Sequence, residues 1–137
     1  MSPTRRSLLS LAITVLALPI VAVRRALADQ AEFIAAAFKM KAEAERNGDQ
    51  PYGAVVVRGS DIVGWGPSRV VTKRDASAHA EREAIRDAQQ RLGADLSGCV
   101  LYSTSRPCSL CENAAAEARI ARMIHGAAAT DAGAPRS

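Results

Sequence analysis

Four side chains in the middle of this 137-residue chain carry the chemistry of a hydrolytic metal site. They are His79 and Glu81 in Ala78-His79-Ala80-Glu81, and Cys108 and Cys111 in Arg106-Pro107-Cys108-Ser109-Leu110-Cys111. One imidazole and two thiolates are ligands of the kind zinc takes, and three protein ligands leave a fourth position open to water, as a catalytic site needs. Zinc lowers the pKa of such a water towards about 7, and a carboxylate beside it can carry protons. Glu81, two residues beyond His79, points to a different side of a helix and is free to serve the water instead of the metal.

Each half of this set is ambiguous alone. A His-x-Glu triplet is commonly a solvated helix face, and Cys-x-x-Cys fits a redox pair or a disulfide as well as a metal clamp. A redox pair needs neither a proline before its first cysteine nor a His-x-Glu at the start of the preceding helix, so the combination points to zinc. Cys99, in the apolar run Cys99-Val100-Leu101-Tyr102, reads as ordinary core.

The elements that must position these residues follow from periodicity and punctuation. A first helix starts at Asp29 as N-cap, carries Phe33, Ala36, Ala37, Met40 and Ala44 on one side, and stops at Asn47-Gly48-Asp49. The β-branched run Ala54-Val55-Val56-Val57, the turn Gly59-Ser60-Asp61 and the run Ile62-Val63-Gly64-Trp65 form a hairpin. Gly66 to Ala76 is a long loop of the kind that carries function or is loose. A second helix spans about Ala78 to Leu92, with Asp75 or Ser77 as its cap, Ile85, Ala88 and Leu92 buried, and His79 and Glu81 in its first turn. Cys99 to Ser103 is an internal strand. Pro107 opens a third helix with Cys108 and Cys111 on one face of its first turn, and Arg122 to Gly126 is a fourth strand. The strand-helix-strand order from residue 98 calls for a parallel pair with a right-handed crossover. Both cysteines and His79 then sit at helix N-termini, where unpaired N–H groups favour thiolate over thiol.

Composition and charge narrow the functional classes. The chain has room for one core, and its aromatics are Phe33, Phe38, Tyr52, Trp65 and Tyr102, too few for a platform that stacks several bases. The formal charge of +4 belongs to the first 28 residues, where Arg5, Arg6, Arg24 and Arg25 face no acid; residues 29–137 are formally neutral. That argues for a small substrate over a nucleic acid. Arg5-Arg6, the apolar stretch Leu8 to Val23 and the small-x-small Ala26-Leu27-Ala28 are expected to form a twin-arginine export signal cleaved before Asp29. The alternative is an uncleaved membrane anchor, for which the apolar stretch is short. Export would place the mature chain, residues 29–137, in the periplasm or beyond, without stable membrane association. It would also require zinc to be loaded first, since an oxidising compartment would otherwise join Cys108 to Cys111.

His79-Ala80-Glu81, 25 residues, then Pro107-Cys108-Ser109-Leu110-Cys111 resembles the cytidine and deoxycytidylate deaminase-like superfamily, and the resemblance spans about residues 30–133. Pro51-Tyr52-Gly53-Ala54-Val55-Val56-Val57, Ala84-Ile85-Arg86 and Leu96-Ser97-Gly98-Cys99-Val100-Leu101-Tyr102 look most like the branch of guanine deaminases and tRNA adenosine deaminases. The resemblance implies an α/β fold, a three-layer α/β/α sandwich shortened at its C-terminus. It implies one Zn2+ per chain held by His79, Cys108 and Cys111, with Glu81 protonating a ring nitrogen and then the leaving amine. It also implies Ser68, Ala80 and Tyr52 as substrate contacts. The implied reaction is hydrolytic deamination of a free nucleobase or nucleoside, a purine such as guanine being favoured. Two readings stand beside it: tRNA adenosine deamination, and a zinc-stabilised domain that has lost catalysis.

The sequence departs from the branch at defined places. Ser68 stands where relatives usually carry Asn, Arg106 stands where Glu commonly precedes Pro-Cys, and Ala114-Ala115-Ala116-Glu117 lacks an aromatic often found after the second Cys. Gly126 to Gly133 resembles the start of the next family segment, but the chain stops four residues later. The expectation is a patternless tail, a missing fifth strand and an open sheet edge, which a homodimer would cover.

Overall fold

The computed structural model describes residues 11–137, with side chains from residue 20. The elements run α1 (Leu11–Arg46), β1 (Gly53–Arg58), β2 (Asp61–Pro67), α2 (Ala80–Leu92), β3 (Val100–Ser103), α3 (Ser109–Glu117), β4 (Arg122–His125) and β5 (Thr130–Gly133). They build one mixed sheet in the order β2-β1-β3-β4-β5, in which only β3 and β4 are parallel, joined through α3.

Strand alternation separates two apolar layers. Ala54 and Val56 of β1, Leu101 of β3 and Met123 of β4 pack under α2 and α3. Val55, Val57, Tyr102 and Ile124 face the other way, against Phe33, Ile34 and Ala36 of α1, with the Phe33 and Tyr102 rings 5.2 Å apart. The three-layer α/β/α sandwich is the result. Full burial of Val55, Val56 and Leu101 stabilises it by about 1.5–3 kcal/mol each.

Three glycines let the helices sit close. A Cβ at Gly66 would fall on the Ala80 carbonyl oxygen, one at Gly64 on the Ala84 carbonyl oxygen, and one at Gly53 on the backbone of Ala37 and Lys41 in α1. The α2 contact is secured at the sheet edge by the Asp87 carboxylate, which accepts the Trp65 N–H at 2.9 Å.

Register then decides where the site lies. Gly53 pairs with Pro67 and Ala54 with Ser103, so the start of β1 and the ends of β2 and β3 share one end of the sheet. Thr104 N–H donates to the Gly53 carbonyl at 2.9 Å, and Ser68 N–H to the Tyr52 carbonyl at 3.1 Å. The chain leaves that end twice towards a helix N-terminus, through residues 68–79 to α2 and through residues 104–108 to α3.

Several boundaries differ from the sequence expectations. Asp29 is not an N-cap: α1 runs through it, because no Gly or Pro interrupts residues 20–46 and alanine-rich sequence propagates a helix already started. Residues 20–28 are exposed, and burial begins beyond them. Gly48, at φ +73°, reverses the chain after α1, and Asp49 N–H returns to the Ala44 carbonyl. No helix among the described residues is long and apolar enough to cross a membrane, and Arg5 and Arg6 lie outside the described residues.

The expected missing fifth strand is corrected. Thr130–Gly133 pairs antiparallel with β4 after a tight turn closed by Ala129 N–H on the Gly126 carbonyl, with Gly126 at φ +76°. An Arg122–Asp131 ion pair at 2.7 Å spans the two strands. Thr-Asp-Ala-Gly has little strand propensity, so it is pairing with β4, and not local preference, that makes β5 a strand. The sheet edge on this side is therefore β5 instead of β4.

Candidate metal centre and catalytic cleft

His79 and Cys108 occupy the same structural position on different helices. Each is the N-cap residue in extended conformation, His79 at φ −61°, ψ 152° before α2 and Cys108 at φ −71°, ψ 170° before α3. This replaces the expected caps: Asp75 instead accepts Ser77 N–H and Oγ–H at 2.8 and 2.7 Å in the preceding turn, and Pro107 lies outside α3. Neither cap side chain bonds its helix, so both imidazole and thiol are free to turn towards the cleft.

The two termini converge. His79 Nδ1 lies 3.6 Å from Cys108 Sγ and 3.5 Å from Cys111 Sγ, and among the described residues these three form a group able to hold a metal ion. With Zn–S of about 2.3 Å, Zn–N of about 2.0–2.1 Å and tetrahedral angles, sulfur and nitrogen ligands stand about 3.6 Å apart. The donor set fits zinc in type and in spacing. Cys108 is exposed, His79 half-buried and Cys111 buried, so the centre opens to one side.

Glu81 lies on the closed side. Its carboxylate is buried, and Cys111 Sγ–H donates to its Oε2 at 3.6 Å. Burial pushes the Glu81 carboxyl above its ordinary range, against the pull of its own backbone N–H, Cys111 and His79. Burial, the Glu81 charge and Cys108 push the Cys111 thiol upwards as well. Two sulfurs and a carboxylate packed this closely are stable as anions only when a cation shares the pocket.

Above these residues is a cleft of about 310 Å³ lined by Gln50, Tyr52, Ser68, His79, Ala80, Glu81, Ser105, Arg106 and Cys108. Tyr52, Ser68 and Ala80 are thus on its wall together with His79, Glu81 and Cys108, while Cys111 lies buried beneath. A larger hollow of about 440 Å³ lies along α2 around Glu83, whose buried carboxylate is held by Lys73 and Arg86 at 2.7 Å and Arg69 at 3.7 Å. That hollow holds none of the four chemical residues. Its ion pairs fasten the 68–79 loop to α2.

The residue not singled out in the sequence is Asp49. It is buried, and its Oδ1 accepts Gln50 N–H at 2.8 Å and Ser68 Oγ–H at 3.1 Å, while its Oδ2 accepts Val71 N–H at 3.1 Å and Thr72 N–H at 2.8 Å. Burial alone would raise this carboxyl, but the N–H groups of Thr72, Gln50 and Val71 outweigh it and bring it down to about 2. Asp49 thereby shapes the loop that carries Ser68. Its sequence signal is faint, an acid in a helix-ending turn where acids are common.

Comparison with known proteins agrees with this geometry. The family model for the cytidine and deoxycytidylate deaminase zinc-binding region matches residues 27–127. A tRNA-specific adenosine deaminase of Buchnera aphidicola is 38% identical over 96 residues, 69% of this chain and 64% of that protein. The guanine deaminase of Bacillus subtilis is 42% identical over 83 residues, 60% of this chain and 53% of that protein. The chain thus spans between half and two thirds of the length of these relatives. The solved structure of the Bacillus subtilis guanine deaminase superposes with a TM-score of 0.67 at 36% identity, over 70% of this chain and 62% of that one. With His79, Cys108 and Cys111 at zinc-ligand spacing beside a buried glutamate, and a family model matched over most of its length, the chain belongs to the cytidine and deoxycytidylate deaminase family.

Proposed function

We propose that this protein is a zinc-dependent hydrolase that removes the exocyclic amine of a nucleobase or nucleoside as ammonia, with guanine-type purines as the favoured substrates. The observation that carries the reading is the closeness of His79 Nδ1, Cys108 Sγ and Cys111 Sγ to a buried Glu81 at the floor of one cleft. Bound zinc would supply an activated water at neutral pH.

The chain's own residues supply the rest. His79, Cys108 and Cys111 would hold one ion per chain. Glu81, whose Oε2 faces Cys111 in the buried floor, would take a proton and return it to a ring nitrogen and then to the departing amine. Tyr52 and Ala80 line the wall, where a planar base would lie against them. The neutral charge of residues 29–137 favours a small substrate.

A second reading, deamination of adenosine in tRNA, is motivated by the similarity to tRNA-specific adenosine deaminases. One assay separates the two: ammonia release by the zinc-loaded full chain from guanine, adenosine, cytosine, cytidine and tRNA. Release from guanine without release from tRNA supports the first reading. Release from tRNA alone replaces it, and silence on all five with zinc bound overturns both.

The first 28 residues are proposed as a twin-arginine export signal, supported by Arg5-Arg6, by Ala26-Leu27-Ala28 and by the exposure of residues 20–28. Mass spectrometry of the periplasmic protein should find Asp29 as its first residue. An intact N-terminus or retention in the cytoplasm would refute export with cleavage.

A further inference from the structure

His79 stands at an N-cap position but does not cap. A residue there ordinarily turns its side chain back to the helix N–H groups, whereas His79 makes no such bond and sends its ring to the two cysteines. The start of α2 must be fixed from elsewhere, and the structure shows Arg86 doing it.

His79, Glu83 and Arg86 are four and three residues apart and so share one side of the helix. Side chains of a helix lean towards its N-terminus, and Arg86 reaches back past Glu83 into the turn that delivers His79. Its Nη1 pairs with the buried Glu83 carboxylate at 2.7 Å and lies 3.9 Å from Asp75 Oδ2. Its Nη2 donates to Ser77 Oγ at 3.2 Å. Ser77 in turn donates its hydroxyl and its N–H to Asp75 Oδ1 at 2.7 and 2.8 Å, and Ala78 N–H reaches the Asp75 carbonyl at 3.0 Å. Both residues before His79 are therefore bonded, and among the described residues Arg86 is the one side chain of α2 that hydrogen-bonds to this turn. The same helix carries a second ion pair, Arg91 to Asp87 at 3.1 Å, that bonds nothing in the turn.

We propose that Arg86 is the positioning residue for the zinc ligand His79: through Ser77 and Asp75 it holds the backbone that aims the imidazole, and Glu83 holds Arg86. The proposal rests on the metal-centre reading above. A planar guanidinium fork can serve a carboxylate and a hydroxyl at once, where an ammonium would serve Glu83 alone. Groups that orient a metal ligand without touching the metal change metal affinity by about 10- to 100-fold when removed, because the ligand must then be ordered at the moment of binding. A residue that only stabilised the fold would lower the stability of the metal-free chain and leave the zinc affinity of the folded protein unchanged.

The test measures both quantities on the full chain. Zinc affinity is read by competition with a chromophoric chelator, the ligand geometry by the visible spectrum of the cobalt-substituted protein, and metal-free stability by urea unfolding. Arg86→Met should weaken zinc by about tenfold and alter the cobalt spectrum. Arg91→Met, which removes the same charge from the same helix, should change neither. Ser77→Ala leaves Glu83 its cation and should weaken zinc by about three- to fivefold, the effect of one hydrogen bond, so the proposal stays testable if Arg86→Met does not fold. Arg86→Met with Ser77→Ala should weaken zinc no more than Arg86→Met alone, since both remove one tether. Unchanged zinc affinity in Arg86→Met or Ser77→Ala, an equal loss in Arg91→Met, or effects of Arg86→Met and Ser77→Ala that simply add would each overturn the positioning role. An unmutated chain that takes up no zinc would overturn the metal-centre reading itself, and the proposal with it.

Discussion

The metal centre and the Ser68 wall are adjacent in the cleft but are built in opposite ways. The centre is assembled from two short motifs, each at a helix N-terminus, that the fold brings together across 29 to 32 residues of chain. The wall is assembled by one buried carboxylate reaching 19 to 23 residues along the chain to Ser68, Val71 and Thr72. The centre thus rests on two motifs that can be recognised in the sequence, and the wall on a carboxylate whose hydrogen bonds have no such signature. The two halves should respond differently to perturbation.

The largest effects are expected at the centre. His79→Ala or Cys108→Ser should abolish ammonia release and reduce bound zinc from about one ion per chain to near zero, with a fall in thermal midpoint as the two helix termini lose their common ligand. Elemental analysis and thermal unfolding check both. Full zinc retention in either variant would break the proposed ligand set.

Gly66→Ala probes the scaffold between the two regions. Its new Cβ would meet the Ala80 carbonyl oxygen, backbone that cannot give way, so α2 must shift together with His79 and Glu81. A loss of about 1–3 kcal/mol in urea unfolding is expected, with reduced zinc affinity. Unchanged stability would show that α2 is seated less tightly on β2 than described.

The wall should show itself in acid. Because the Asp49 carboxyl falls from 3.8 to about 2 on folding, its ionised form stabilises the native state fully above pH 3.8, and that contribution is lost as pH falls through about 2. Asp49→Asn should flatten the loss of stability between about pH 4 and 2 and lower stability at neutral pH, because the amide nitrogen cannot accept the backbone N–H it would face. An unaltered acid-unfolding profile would remove Asp49 as the anchor of the loop.

The same contrast explains what could be read from the sequence. Apolar alternation in Val55-Val56-Val57 and Val100-Leu101-Tyr102, and the Cys108–Cys111 spacing, are local signals, and the sheet and ligand set follow from them. The cap of α2 is His79, two residues beyond Ser77 and four beyond Asp75, the two expected caps. Asp49 and β5 were not legible, because each owes its structure to partners distant in sequence or to a neighbouring strand. The start of α1 was displaced for a related reason: Asp29 has the right chemistry for a cap, but helical sequence on both sides overrides it.

The most direct test of the account is Glu81→Gln, measured for metal and for activity in the same preparation. The account predicts about one zinc per chain, as in the unmutated protein, with ammonia release from guanine lower by about 100- to 10,000-fold, the range for loss of a general acid and base. Loss of zinc would make Glu81 a ligand or a structural support, and undiminished ammonia release would show that the proton path does not run through it.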